Sequence, residues 1–254
     1  TISVEQGMFM RGLVSVPLLA VIAYFRKSLF IRIDWRNWRV ILIRAFAELA
    51  STMLFLNALA QMPLANVSAI LQSLPLTVTM FAAMFFGEAV GWRRWSAILV
   101  GFIGVLIIIR PGSDGFNEYA VLALIAVGFI TLRDAITRRL DRSVPSLFVA
   151  FISAIPVFLF GGAMTVTTGW TPVSWSMGII VTVAAISITC GYLFAVMAMR
   201  IGDISFVAPF RYTGMIWAIL FGFLLFGNLP DQMTILGTCI VIGMGVYAFH
   251  RERI

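Results

Sequence analysis

Five charged side chains stand inside long apolar stretches of this 254-residue chain: Arg44, Glu48, Arg133, Asp134 and Arg211. Arginine presents a planar fork of donors suited to a carboxylate or phosphate. A carboxylate accepts from such a fork and, when protonated, donates instead. Arg44 and Glu48 are one helical turn apart and can pair. Arg133 and Asp134 are adjacent. Arg211 follows Pro209 and Phe210 and precedes Tyr212 and Thr213. These types suit holding a charged small molecule or moving a proton.

Bond-making chemistry has no comparable set of residues. The sequence holds no HExxH, CxxC, P-loop or GxSxG pattern and no paired-Asp diphosphate motif. An enzyme in a membrane needs a nucleophile or a metal cluster. The one histidine, His250, lies near the C-terminus, and Cys190 and Cys239 read as small buried hydrophobes. No catalytic residue, metal or cofactor is therefore expected.

Composition says where the five charges must sit. Hydrophobic residues make up 61% and charged residues 11%, against about 45–50% and about 25% in soluble domains. Mean hydropathy is +1.02. A soluble surface cannot be built from so few charges, and disordered, collagenous and disulfide-rich classes are excluded as well. An integral membrane protein remains. The net charge of +7 fits loops that collect Lys and Arg on the cytoplasmic side better than a nucleic-acid partner.

A helix needs about 20 apolar residues to cross the hydrocarbon core. Nine such spans are predicted, at 8–25, 40–60, 66–86, 95–109, 119–137, 146–166, 175–198, 204–226 and 233–249. Thirteen of the eighteen basic residues fall in alternate connections or at the C-terminus, with Arg110 the clear exception. The positive-inside rule then places the C-terminus in the cytoplasm and residue 1 outside. No signal-peptide pattern opens the chain. One further helix is expected upstream.

An internal repeat supports that expectation. Phe86-Gly87-Glu88 and Phe226-Gly227-Asn228 lie 140 residues apart, as do Ala58-Leu59-Ala60 and Ala198-Met199-Arg200. Gly104 and Arg110 match Gly245 and Arg251 at an offset of 141. Residues 1–112 then form a first repeat lacking its first helix, and 113–254 form a second. A unit of five helices is odd, so the two copies must insert in opposite orientations. The fold class is all-α and membrane-integral, with nine helices of a ten-helix bundle of two inverted five-helix repeats.

These residues resemble the drug/metabolite transporter superfamily, EamA type. The likeness lies in Ala-Leu-x-x-x-Pro-Leu-Ala at 58–65, Pro75-Leu76, Phe86-Gly87-Glu88 before Trp92-Arg93-Arg94, and Gly-x-x-Gly-Val-Leu-Ile-Ile-Ile-Arg-Pro at 101–111. Arg11 fits the arginine that opens that family's second helix. Asn228 departs from the pattern, because an acidic residue often follows Phe-Gly there. The resemblance implies a ten-helix transporter in a bacterial inner membrane, with both termini cytoplasmic. Amino acids, riboflavin, S-adenosylmethionine, sugars and drugs are associated with the wider family.

Charge inside a bilayer costs about 2.5–3.5 kcal/mol per residue on insertion scales, so each such residue is a functional candidate. At 1.5 Å per residue Glu48 lies about 12 Å, Arg211 about 10 Å and the other three about 6–8 Å from the cytoplasmic ends of their spans. All five then share one half of the bilayer, where one vestibule could collect them. Arg44, Glu48, Arg133 and Asp134 are candidates for gating or coupling, the last step with a proton. Structural alternatives stand beside them: Arg44 can snorkel to headgroups, Arg133 and Asp134 can cap a helix, and Glu48 can be a counter-ion. Arg211, whose repeat mate is Leu71, is the centre of a candidate substrate site.

Neutral polar residues complete that site through the repeat. Gln72 and Ser73 map onto Tyr212 and Thr213, and Thr52 maps onto Tyr192. Glu48 joins them, with Phe206, Phe210 and Trp217 as candidate apolar walls. Ser and Thr also simply hold helices together. Partners expected are a small-molecule substrate, the lipid bilayer and a coupling proton, with no nucleic acid; the sequence leaves the oligomeric state open.

The leading function is a secondary transporter of a small polar or amphipathic organic metabolite, working by alternating access. A non-transporting assembly or sensor module is the alternative. Topology is testable by labelling. A cysteine in the 112–118 loop should react with an impermeant thiol reagent from outside, and one in the 28–38 loop should not. Reversed labelling overturns both the orientation and the inverted repeat.

Overall fold

Pro75 shows how local chemistry shapes this chain. Proline has no N–H and its ring clashes with the carbonyl four residues back, so a helix running into it kinks or breaks. In the computed structural model, which describes residues 2–87, 90–111, 117–201 and 211–250, the helix breaks there. Helix α3 (Leu64–Leu71) stops and α4 (Leu74–Phe86) starts after Gln72-Ser73. Tighter bonds bridge the break, from the Ser73 N–H and hydroxyl to the Ile70 carbonyl at 3.1 and 2.7 Å.

The remaining helices are α1 (Val4–Phe25), α2 (Trp35–Gln61), α5 (Trp92–Ile109), α6 (Glu118–Thr137), α7 (Ser146–Thr168), α8 (Trp175–Ile201), α9 (Thr213–Phe226) and α10 (Gln232–His250). Among the described residues the architecture is all-helical. Seven stretches, counting α3 and α4 as one, are long and apolar enough to span a bilayer, and two shorter apolar helices follow. The protein is an integral membrane protein. These stretches fall where the nine spans are expected, although residues 204–210 of the eighth, with Phe206, Pro209 and Phe210, lie outside the described residues.

One boundary moves with consequence. Helix α2 begins at Trp35 rather than near residue 40, because Asp34 caps it. Asp34 Oδ1 accepts from the Asn37 N–H at 3.3 Å and from its side-chain amide at 2.5 Å. The same amide donates to Asp141 at 2.6 Å. Glu48 therefore lies thirteen residues into the helix, about 20 Å rather than 12 Å from its start.

The chain forms two compact units, and neither coincides with a half of the sequence. The first comprises Thr1–Thr52 and Ile136–Gly202, the second Met53–Ala135 and Asp203–Ile254. Each gathers helices about 140 residues apart: α1 with α7 and α2 with α8 in the first, α4 with α9 and α5 with α10 in the second. Local geometry recurs at the same interval. Gly87 ends α4 at φ 70° and Gly227 ends α9 at φ 68°, left-handed conformations natural to glycine.

Close helix approach depends on glycine in both units. Around α1 and α7, the Gly12 face meets the Phe158 ring and the Gly161 face meets the backbone of Glu5 and Phe9. In the second unit α5 and α10 meet at Gly104 and Gly237, each facing the other's carbonyl oxygen. Asp231 caps α10 by accepting from the Thr234 N–H at 2.7 Å and also pairs with Arg110. Slight burial works against the charge of Asp231, but these bonds prevail and hold its carboxyl below the usual carboxylate range. Arg110, the exception in the charge pattern, thus has a partner outside the span.

Outward faces are apolar, as lipid demands: Leu159, Val166, Ile180, Phe194 and Leu225 are all exposed. Cys190 and Cys239 are exposed as well, rather than buried as their apolar settings suggested. Trp35, Trp92 and Trp175, the first residues of α2, α5 and α8, are 72%, 75% and 86% exposed. Tryptophan at helix ends suits the membrane–water interface.

Gly237→Ala places a methyl group 2.6 Å from the Gly104 carbonyl, so α5 and α10 must separate. A loss of about 1–3 kcal/mol is expected, read as a lower unfolding temperature in detergent. Gly128→Ala, which meets no atom within 4 Å, should leave that temperature unchanged or raise it.

Candidate substrate sites

The five charges singled out above fall into two clusters, each within one unit. Arg44 and Glu48 belong to the first; Arg133, Asp134 and Arg211 belong to the second.

In the first unit Arg44 turns inward instead of snorkelling, and it is only 2% exposed. Its Nε donates to Thr137 at 2.9 Å, and one Nη donates to Ser153 and to the Tyr192 hydroxyl, both at 2.6 Å. The guanidinium also lies over the Tyr192 ring, 5.3 Å from its centroid. Residues of α2, α6, α7 and α8 are thereby tied to one buried cation. Tyr192 and Glu48, expected in one site, do line one cleft, together with Arg11, Gly12, Ser15, Leu19, Ala154, Val157, Ile188 and Thr189. Arg11 and Glu48 bring opposite charges to its lining. Thr189 Oγ lies 2.7 Å from both Ser15 Oγ and the Ala185 carbonyl. Thr52, one turn beyond Glu48, is buried but does not line the cleft.

Arg11 was legible only as a family marker, although a lone cation in an apolar stretch carries the same signal that singled out Arg44. Ser153 and Thr137 gave no signal, because a hydroxyl facing a guanidinium reads like any helix-packing hydroxyl.

In the second unit Asp134, carried by α6, is bracketed by two arginines. Arg211 Nη2 donates to Asp134 Oδ2 at 2.9 Å, and Arg133 donates to Oδ1 through Nε at 2.9 Å and Nη2 at 2.8 Å. Among the described residues, Asp134 thus has a guanidinium on each carboxylate oxygen. Arg211 also lines a pocket with Gln72, Ser68, Leu71, Leu74, Pro75 and Gly214, at the α3–α4 break. Gln72 and Arg211 therefore line the same pocket. The pocket encloses about 510 Å³, its open mouth included.

The other expected residues are placed differently. Ser73 is buried, and its hydroxyl serves the helix break. Tyr212 is buried with its hydroxyl against Gly245 on α10 instead of lining the pocket with Gln72. Trp217 is 55% exposed and stacks on Phe221 at 6.1 Å, so it faces outward. Phe210 lies outside the described residues. Thr77 and Thr131 share a hydrogen bond of 2.6 Å that ties α4 to α6.

Comparison with known proteins assigns this architecture. A solved crystal structure matches with a TM-score of 0.65 over 99% of this chain and 88% of that one, at 17% identity, which shows a shared fold. An S-adenosylmethionine uptake transporter of Rickettsia conorii is 23% identical over 252 residues, 99% of this chain and 84% of that protein. A riboflavin transporter of Vibrio cholerae is 28% identical over 230 residues, 88% of this chain and 76% of that protein. The pseudopaline exporter of Pseudomonas aeruginosa is 25% identical over 209 residues, 80% of this chain and 72% of that protein. These relatives are transporters, not enzymes. The model of the EamA-like transporter family matches residues 1–110 and 118–248, so this membrane protein belongs to that family.

Proposed function

We propose that this chain is a secondary transporter of a small polar or amphipathic organic metabolite, such as an amino acid, a vitamin or a related compound. It works by alternating access of two inverted repeats, with the C-terminus in the cytoplasm. Relatives named for S-adenosylmethionine, riboflavin and pseudopaline support the substrate class. The recurrence of helices and of left-handed glycine ends about 140 residues apart supports the repeat.

The observation that carries the mechanism is Arg211, which faces the pocket beside Gln72 while paired to Asp134. A substrate carboxylate or phosphate entering that pocket competes with Asp134 for the Arg211 guanidinium. Arg133 stays on Asp134 and compensates the carboxylate that Arg211 leaves. Substrate binding then loosens the tie between α6 and the residues before α9, as a carrier that must change state requires. The binding energy for an anionic group is coupled to movement only if the two ion pairs exclude one another. Asp134, released from Arg211, is the group that would accept a coupling proton.

Substrate binding and flux in proteoliposomes test this. Arg211→Lys should fold and bind more weakly, since a point charge cannot reproduce a planar fork. Arg211→Ala should cost about 2–5 kcal/mol of binding. Asp134→Asn removes the internal competitor, so anionic substrate should bind more tightly, while accumulation driven by a pH gradient is lost and exchange persists. Wild-type affinity in Arg211→Ala places the site elsewhere, and unchanged affinity in Asp134→Asn removes the competition.

A further inference from the structure

From the end of α1 into the first turns of α2 the chain carries five cations, Arg26, Lys27, Arg32, Arg36 and Arg39, against the single carboxylate of Asp34. All five are exposed. Asp34 is occupied in capping α2, and among the described residues no ion pair joins the five to an acidic side chain. The chain folds back sharply after α1. The Ser28 N–H donates to the Ala23 carbonyl at 2.8 Å, and Tyr24 meets Phe25 at 5.9 Å and Phe30 at 6.3 Å, edge to face. All three rings are exposed. Arg26 and Lys27 thus stand at a turn flanked by exposed aromatic residues.

Loop charge alone follows from topology, since connections on one side of a membrane collect Lys and Arg. Two further features point to a ligand. First, Lys27 has φ 52°, in the left-handed region that favours glycine. The ends of α4 and α9 meet the same demand with Gly87 and Gly227, and the other exception, Arg110, pairs with Asp231. A cation does complement the carbonyls at a helix end, but Arg26 already stands there at an ordinary φ of −83°. Second, Phe25 and Phe30 present apolar rings beside these cations. Such rings sink into the boundary between headgroups and acyl chains, where a neighbouring cation meets lipid phosphate.

We propose that this turn is a binding site for an anionic phospholipid. The lipid phosphate meets Arg26 and Lys27, and the acyl chains lie against Tyr24, Phe25 and Phe30. Charge selects the lipid. A zwitterionic headgroup brings its own cation, whereas an anionic headgroup lacks one and takes it from the protein. Arg32, Arg36 and Arg39 raise the positive potential around the turn without holding the phosphate. The site requires only that the chain lies in a membrane, and it stands apart from the Arg211 pocket and from transport.

Native mass spectrometry of the purified chain in detergent, titrated with dioleoylphosphatidylglycerol and with dioleoylphosphatidylcholine, tests this. Phosphatidylglycerol is expected to bind tighter by about tenfold or more, or about 1.4 kcal/mol. Arg26→Gln combined with Lys27→Gln should remove most of that advantage and leave phosphatidylcholine binding unchanged. Arg36→Gln combined with Arg39→Gln removes the same charge away from the aromatic turn and should keep the advantage. Lys27→Gly separates binding from folding. It relieves the left-handed backbone, so the unfolding temperature in lipid-free detergent should hold or rise while phosphatidylglycerol affinity falls. Phe25→Ala combined with Phe30→Ala should weaken both lipids and keep the preference between them. Glycerol phosphate, the headgroup chemistry without acyl chains, should not displace the lipid at matched concentration. Equal affinity for the two lipids, equal loss in the two charge-removing double variants, or displacement by glycerol phosphate overturns the site.

Discussion

Without water to solvate it, a charge within a membrane must find its partner inside the protein. Much of this molecule follows from how that demand is met. Arg44 is satisfied by the hydroxyls of Thr137, Ser153 and Tyr192, so within the first unit α7 and α8 cannot slide past this part of α2 without stranding a cation. Asp134 is satisfied by two arginines, one a sequence neighbour and one 77 residues away. Both solutions use hydrogen bonds whose loss would leave a buried group uncompensated. Charge therefore determines which helices stay together, even though apolar contact supplies most of the packing.

Small residues and one proline make room for these bonds. Glycine brings α1 against α7 and α5 against α10 closely enough for backbone atoms to meet a neighbouring side chain or carbonyl, the approach expected where lipid offers no hydrophobic drive between helices. Pro75 interrupts α3 and α4, and the interruption lets Gln72 turn toward Arg211 at mid-span. A continuous helix there would carry neither the break nor the pocket.

The two cavities differ in the charged residues that line them. Among the residues that line the pocket in the second unit, Arg211 alone is charged, which favours an anionic group. The cleft in the first unit is lined by residues of both signs, Arg11 and Glu48. An EamA-like transporter handles solutes that must leave water, and electrostatic matching discriminates among such solutes better than apolar surface does.

Class and span positions were legible in the sequence alone, because hydropathy over about 20 residues is a local property tied to bilayer thickness. Intramembrane charge is equally local, so Arg44, Glu48, Arg133, Asp134 and Arg211 stood out by type. Their partners did not. Periodicity relates residues one turn apart, which suggested Arg44 with Glu48, but Arg44 turns to hydroxyls on distant helices. Sequence symmetry suggested Tyr212 opposite Gln72, but the gap left by Gly245 draws the phenol toward α10. The repeat divides the chain at its middle, whereas compactness pairs corresponding helices from both halves. Hydropathy and charge type are carried by each residue and its near neighbours. Which guanidinium meets which oxygen depends on contacts among helices far apart in the chain, and only packing decides them.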